Sequence, residues 1–230
     1  MKNKLFLSII TIFTLLSCQK KHQVKASDND LNAILTLSNY KTSQKTINDS
    51  IIEISGYNEK FTIQGKYNKN SKHKIGWWDI HYKMNDQKYF NVEFFLEDNI
   101  ERKNQIIFYH QNKIDTSKSK LYTTNFKYEN NKISKVIYHF YTPKSDFITK
   151  NVDLIYDITT DTKDSEPQKI ALNIHNNSHH YCEIDLTKYK NSKSIIVGGL
   201  FSEYSSNKAK TEMGVNDIFI HDTIQVTKEF

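Results

Sequence analysis

Residues 77–95 hold the side chains best suited to chemistry: Trp77, Asp79 and His81 alternate along one run, and Asn91, Glu93 and Phe95 alternate along the next. Period-two alternation marks a β-strand, in which adjacent residues face opposite ways. Trp78, Ile80 and Tyr82, with Phe90, Val92, Phe94 and Leu96, form the more apolar set, which leaves the first six on the outer face. If the apolar sets share a core, the hairpin pairs Ile80 with Val92 and Tyr82 with Phe90, because a one-residue slip would put the faces out of phase. That register sets Asp79 opposite Glu93, His81 opposite Asn91 and Trp77 opposite Phe95. Two carboxylates, an imidazole and an aromatic ledge would suit a glycan. Carboxylates close across a strand pair repel, which raises one pKa, and such pairs serve glycoside hydrolysis.

Other constellations promise less. His179-His180-Tyr181-Cys182 has metal-ligand residue types, yet neighbours in a strand diverge and no fourth ligand stands at a recognised spacing. Asp157, Asp161, Asp164 and Glu166 do not match the calcium-loop spacing and read as a solvated acidic loop. Phosphate-cradling glycine loops, a serine nucleophile elbow and a paired-histidine protease motif are absent. No metal, cofactor or catalytic residue is therefore assigned. Lys66, Lys69, Lys72 and Lys74 with His73 form the densest basic run, but the remaining lysines are scattered among polar residues, so a solvated loop is expected and no nucleic acid partner.

The elements that position these residues are strands. From Ile51 onward about a dozen short runs rich in Ile, Val, Tyr, Phe and Thr are separated by Asn, Asp, Lys and Ser clusters. The expected fold is all-β, an antiparallel meander over 31–147 followed by a β-sandwich-like region over 148–230, with one continuous domain as the competing parse. Leu31, Ile34 and Leu35, preceded by Asp28 to Asp30, suggest one brief helix. Turns at Gln111-Asn112-Lys113 and Glu129-Asn130-Asn131-Lys132 separate hairpins, and Gly198-Gly199 within an apolar run suggests a bulge or a sharp bend. Gly76-Trp77-Trp78 with Tyr82 resembles the opening of a MORN-type meander over residues 76–141. The glycines of that family between strands are replaced by Asn and Asp, so the resemblance implies no function.

The N-terminus carries Lys2 and Lys4, an apolar run from Leu5 to Leu16, then Leu15-Leu16-Ser17-Cys18. The segment resembles a bacterial lipoprotein signal. The resemblance implies a signal over 1–17, a diacylglyceryl thioether on Cys18 as the new N-terminus, and a polar tether over 18–30. The thirteen residues from Leu5 to Ser17 fall short of the roughly 20 that span a bilayer. Without Lys2 and Lys4 the formal charge falls from +6 to +4, a mild basic bias. Gln19 and Lys20 after the cysteine favour, by the same resemblance, the outer membrane. Acylation would consume Cys18 and leave Cys182 without an intramolecular partner, so Cys182, in strand-like alternation with Ile184 and Leu186, is expected to be buried. These features together point to a membrane-anchored envelope protein that binds a glycan or an envelope protein. A carbohydrate-active hydrolase and an immunity-type protein-binding lipoprotein are the alternatives.

Overall fold

The structure, a computed structural model, describes residues 28–161, 166–172, 174 and 178–227. The signal-like segment, Cys18 and the first part of the tether lie outside these residues, as does Asp164. The expected short helix is present as α1 (Asp28–Leu35), with Leu31 and Leu35 buried. Among the described residues, those up to Tyr40 form one unit, and those from Lys41 onward a second.

The second unit is all-β and antiparallel. Seven strands follow in chain order as one meander: β1 (Lys41–Thr46), β2 (Ile51–Tyr57), β3 (Phe61–Asn68), β4 (His73–Tyr82), β5 (Lys88–Glu97), β6 (Ile100–His110) and β7 (Lys113–Ile114). Alternation sends Ile52, Ile54, Ile63, Trp78, Ile80, Phe90, Val92 and Phe94 to one buried face. The Trp78 indole lies over Gly65, where an added Cβ would stand 2.2 Å from the ring, and Nε1 of Trp78 donates to the Lys66 carbonyl at 3.0 Å. Several hairpins turn on two residues of positive φ, Asp98 and Asn99, Gln111 and Asn112, and Asn130 and Asn131. Side chains that tolerate this region serve here where glycine is the usual choice.

The remaining strands are β8 (Leu121–Glu129), β9 (Lys132–Tyr141), β10 (Ile148–Thr160), β11 (Gln168–Ala171), β12 (His179–Asp185), β13 (Ser194–Ser206) and β14 (Met213–Gln225). They make a three-stranded sheet, β12-β9-β8, and a four-stranded sheet, β11-β10-β13-β14. One apolar core joins the two. It includes Val136, Tyr138 and Phe140 from β9 together with Leu154, Val197, Phe201 and Ile218, and Phe140 stacks on Phe201 at 4.2 Å between centroids. This core runs across the boundary expected at residue 148: β8 and β9 belong with the later strands because β12 returns to pair with β9. Gly198-Gly199 makes no bulge, since β13 pairs without a register break through both residues. Close approach explains the pair instead. A Cβ on Gly198 would fall 2.7 Å from the Asp157 carboxylate, and one on Gly199 would fall 2.8 Å from the Ile155 carbonyl oxygen.

A polar junction ties the meander to the sandwich. The Asn104 amide donates to the Phe219 carbonyl at 2.9 Å and accepts from the Phe219 N–H at 2.8 Å, satisfying backbone groups on the edge strand β14 much as another strand would. Phe95 packs on Phe219 with centroids 4.6 Å apart. Lys120 Nζ reaches the Asp217 carbonyl at 3.0 Å.

Candidate functional site

The face of the meander opposite its apolar side carries two rows of mostly polar side chains. One row runs Ser43, Ser55, Gln64, Asp79, Asn91 across β1 to β5, and the next runs Lys41, Tyr57, Thr62, His81, Lys88. Between them lies an open groove of about 550 Å³, walled by Tyr57, Thr62, Gln64, Asp79, His81 and Asp86. Tyr57 is 46% exposed and Trp77, on β4, is 39% exposed.

The groove is organised by weak, polar contacts. His81 Nδ1 lies 3.0 Å from Asp86 Oδ1 and 3.2 Å from the Asp86 carbonyl, which holds the imidazole against the β4–β5 turn. Lys88 Nζ stands 3.8 Å from Asp79 and 5.4 Å from the centre of the Tyr109 ring. Burial, and then the negative Asp79, hold the Tyr109 phenol above its ordinary value, so it stays a neutral donor. Lys83 Nζ sits over the Tyr57 ring at 4.7 Å. Asn91 Oδ1 is shielded from solvent and accepts no hydrogen bond among the described residues.

The β4–β5 register differs from the expected one by two residues. Trp78 pairs with Val92 and Ile80 with Phe90, so Asp79 faces Asn91 and Trp77 faces Glu93. Faces stay in phase because the shift is even. A bulge fixes the offset: His81 pairs with Lys88, and the extra residue, Tyr89, joins an aromatic cluster with Phe61 at 5.5 Å and Tyr82 at 4.8 Å. The six candidates therefore separate. Trp77, Asp79, His81 and Asn91 stay on the outer face of the meander, whereas Glu93 accepts from Asn104 at 2.8 Å and Gln105 at 2.9 Å, and Phe95 meets Phe219, so both serve the junction with the sandwich. The Asp79–Glu93 carboxylate pair is not opposed across the strands. Tyr57, Thr62 and Gln64 join the site without having been singled out in the sequence. Their alternation with Ile54 and Ile63 marks them as outward, but nothing local says that β3 lies beside β4.

Strand alternation also divides residues 179–182. His180 and Cys182 point inward and are buried, while Tyr181 is exposed and His179 half-buried. Cys182 is a free thiol whose pKa burial pushes up to about 12, so it is protonated and inert at neutral pH. Among the described residues no three His, Cys, Asp or Glu side chains converge on a metal-sized point. In comparison with known proteins, no family model matches the chain and no curated protein matches it significantly.

Proposed function

We propose that the protein is a lipid-anchored envelope binding module that takes a glycan on the outer face of β1 to β5. The observation that carries this reading is the open groove of about 550 Å³, lined by polar side chains and by the exposed ring of Tyr57, with the exposed Trp77 two residues along β4 from the lining residue Asp79. Sugars present hydroxyl groups around an apolar ring face. Asp79, Gln64 and Thr62 on the lining offer hydrogen-bond partners for the hydroxyls, and an exposed aromatic ring offers a surface for the sugar face. Anchoring rests on the lipoprotein-like segment ending at Cys18. Several acyl chains on one cysteine give a stable anchor where one chain would give only reversible binding. No helix among the described residues is long and apolar enough to cross a membrane. A hydrolase reading has less support, because its carboxylate pair is separated by the register.

The test is retention on purified cell-wall and surface glycans, using full chain in detergent. Trp77→Ala is expected to weaken retention by about 1 kcal/mol, roughly fivefold, the usual worth of an aromatic contact. Equal retention by Trp77→Ala and Tyr57→Ala variants would reject this face as the site, and capture of one stoichiometric envelope protein without glycan would replace the glycan with a protein partner. Radiolabelled palmitate should enter the wild-type chain in cells and fail to enter Cys18→Ala. Equal labelling of the two would remove the anchor.

A further inference from the structure

The outer face of the three-stranded sheet carries a diagonal row, Asn125 on β8, His139 on β9 and His179 on β12, one residue from each strand. His139 Nδ1 lies 3.2 Å from His179 Nε2, and His139 Nε2 lies 3.2 Å from Asn125 Nδ2. From this geometry we infer that His139 and His179 form a two-histidine clamp for a divalent transition metal of the zinc class.

The spacing is the first support. Two imidazole nitrogens bound to zinc at 2.0–2.1 Å and separated by a tetrahedral angle stand about 3.3 Å apart. The two rings need only turn about their Cβ–Cγ bonds to aim both lone pairs at one point, and that torsion is soft in histidine. The second support is Asn125. With the metal absent, an amide donating to Nε2 leaves the His139 proton on Nδ1, pointing at His179. With the metal bound, that proton moves to Nε2 and the rotated amide accepts it through Oδ1, so no proton is lost and His139 gains the outer hydrogen bond that orients metal-bound imidazoles. The third is shape. Tyr141 stacks on His179 at 4.6 Å and 7° between planes, which gives the clamp an aromatic wall on one side. Both histidines are half-buried, so solvent reaches the clamp and water can complete the coordination. Charge is balanced on this face: Glu183 is paired with Lys127 at 2.7 Å and Lys135 at 2.6 Å, and Asp185 lies within the field of Lys135. His180 and Cys182 face the core and take no part. With two protein ligands the site is exchangeable rather than structural.

The test is calorimetric titration of full chain, purified without a polyhistidine tag, with zinc ion alone. One zinc per chain is expected, with binding lost in His139→Gln and in His179→Gln, weakened about tenfold in Asn125→Ala, and kept in His221→Ala on β14. Zinc should also raise the melting temperature of the wild type and not of either glutamine variant. Absence of zinc binding by the wild type, or wild-type binding by the double His139→Gln, His179→Gln variant, would overturn the clamp. Glutamine keeps this solvent-facing position polar, and circular dichroism of each variant separates loss of ligand from loss of fold.

Discussion

Trp78→Ala should lower the free energy of unfolding by about 3–5 kcal/mol, the cost of removing a large buried ring and leaving its cavity. Trp78 is fully buried, meets Phe94 edge-on at 6.5 Å, lies on Gly65 and donates to the Lys66 carbonyl. The contact can be attacked from the other side. Gly65→Ala puts a methyl group 2.2 Å from the indole, closer than any real contact allows, and should cost about 1–3 kcal/mol or more. In the Trp78→Ala background the same Gly65→Ala change should cost almost nothing, because the clash has gone. Urea unfolding followed by far-ultraviolet circular dichroism reads all three variants. Additive losses in the double variant would show that the ring and the glycine act independently.

A comparable loss is expected inside the sandwich. Glu203 is 2% exposed and sits at the centre of a buried polar group. Its carboxylate accepts from Thr149 Oγ1 at 2.6 Å and Asn216 Nδ2 at 3.1 Å, and it faces His180 Nε2 at 3.5 Å. Burial pulls the Glu203 pKa upward, but the contacts with His180, Thr149 and Asn216 outweigh it and hold the carboxyl below its ordinary value. Glu203→Ala strands two buried polar partners, Thr149 and His180, and the half-buried Asn216, and should cost about 3–5 kcal/mol. The pH dependence follows from the sign. A carboxyl whose folded pKa is depressed stabilises the fold fully above its unfolded pKa, about 4.3, and loses that contribution as pH falls through the folded value. Glu203→Gln should therefore be less stable than wild type at pH 7, with the difference shrinking below about pH 4. A difference that stayed constant from pH 7 to pH 3 would mean that the Glu203 charge contributes nothing.

Much of the architecture was legible in residue type and spacing. The strand-like runs expected from Ile51 onward begin where β2 does, and the turn expected at Asn130-Asn131 carries two residues of positive φ. The burial of Cys182 followed from its alternation with Ile184 and Leu186. What escaped has a common cause. β1, with the sequence KTSQKT, is exposed throughout and offers no alternation to read, so one wall of the groove was invisible. Lys41 and Ser43 are visible only as partners of Tyr57 and Ser55. Alternation fixed which face Asp79 and Glu93 occupy, but period two says nothing about an even shift, and the deciding Tyr89 bulge answers to aromatic contacts with Phe61 and Tyr82. His139 and His179 stand forty residues apart in the chain and meet only because β12 returns to β9.

The margins of the meander bear on how the molecules behave when crowded. An open sheet edge offers unpaired N–H and C=O groups to any passing strand, and flat apolar edges polymerise. Here one margin is β1, six exposed residues that include Lys41 and Lys45, and the other is β7, only two residues long. Lysine side chains would have to be stripped of water and brought together for two β1 edges to zip, and next to β7 the neighbouring β6 is further engaged by the Ile106–Lys120 bridge and by the contact of Asn104 with Phe219. High local density should therefore leave neighbouring copies separate. The rim of the groove formed by Lys41 and Ser43 would remain open to solvent, unblocked by a second copy of the chain.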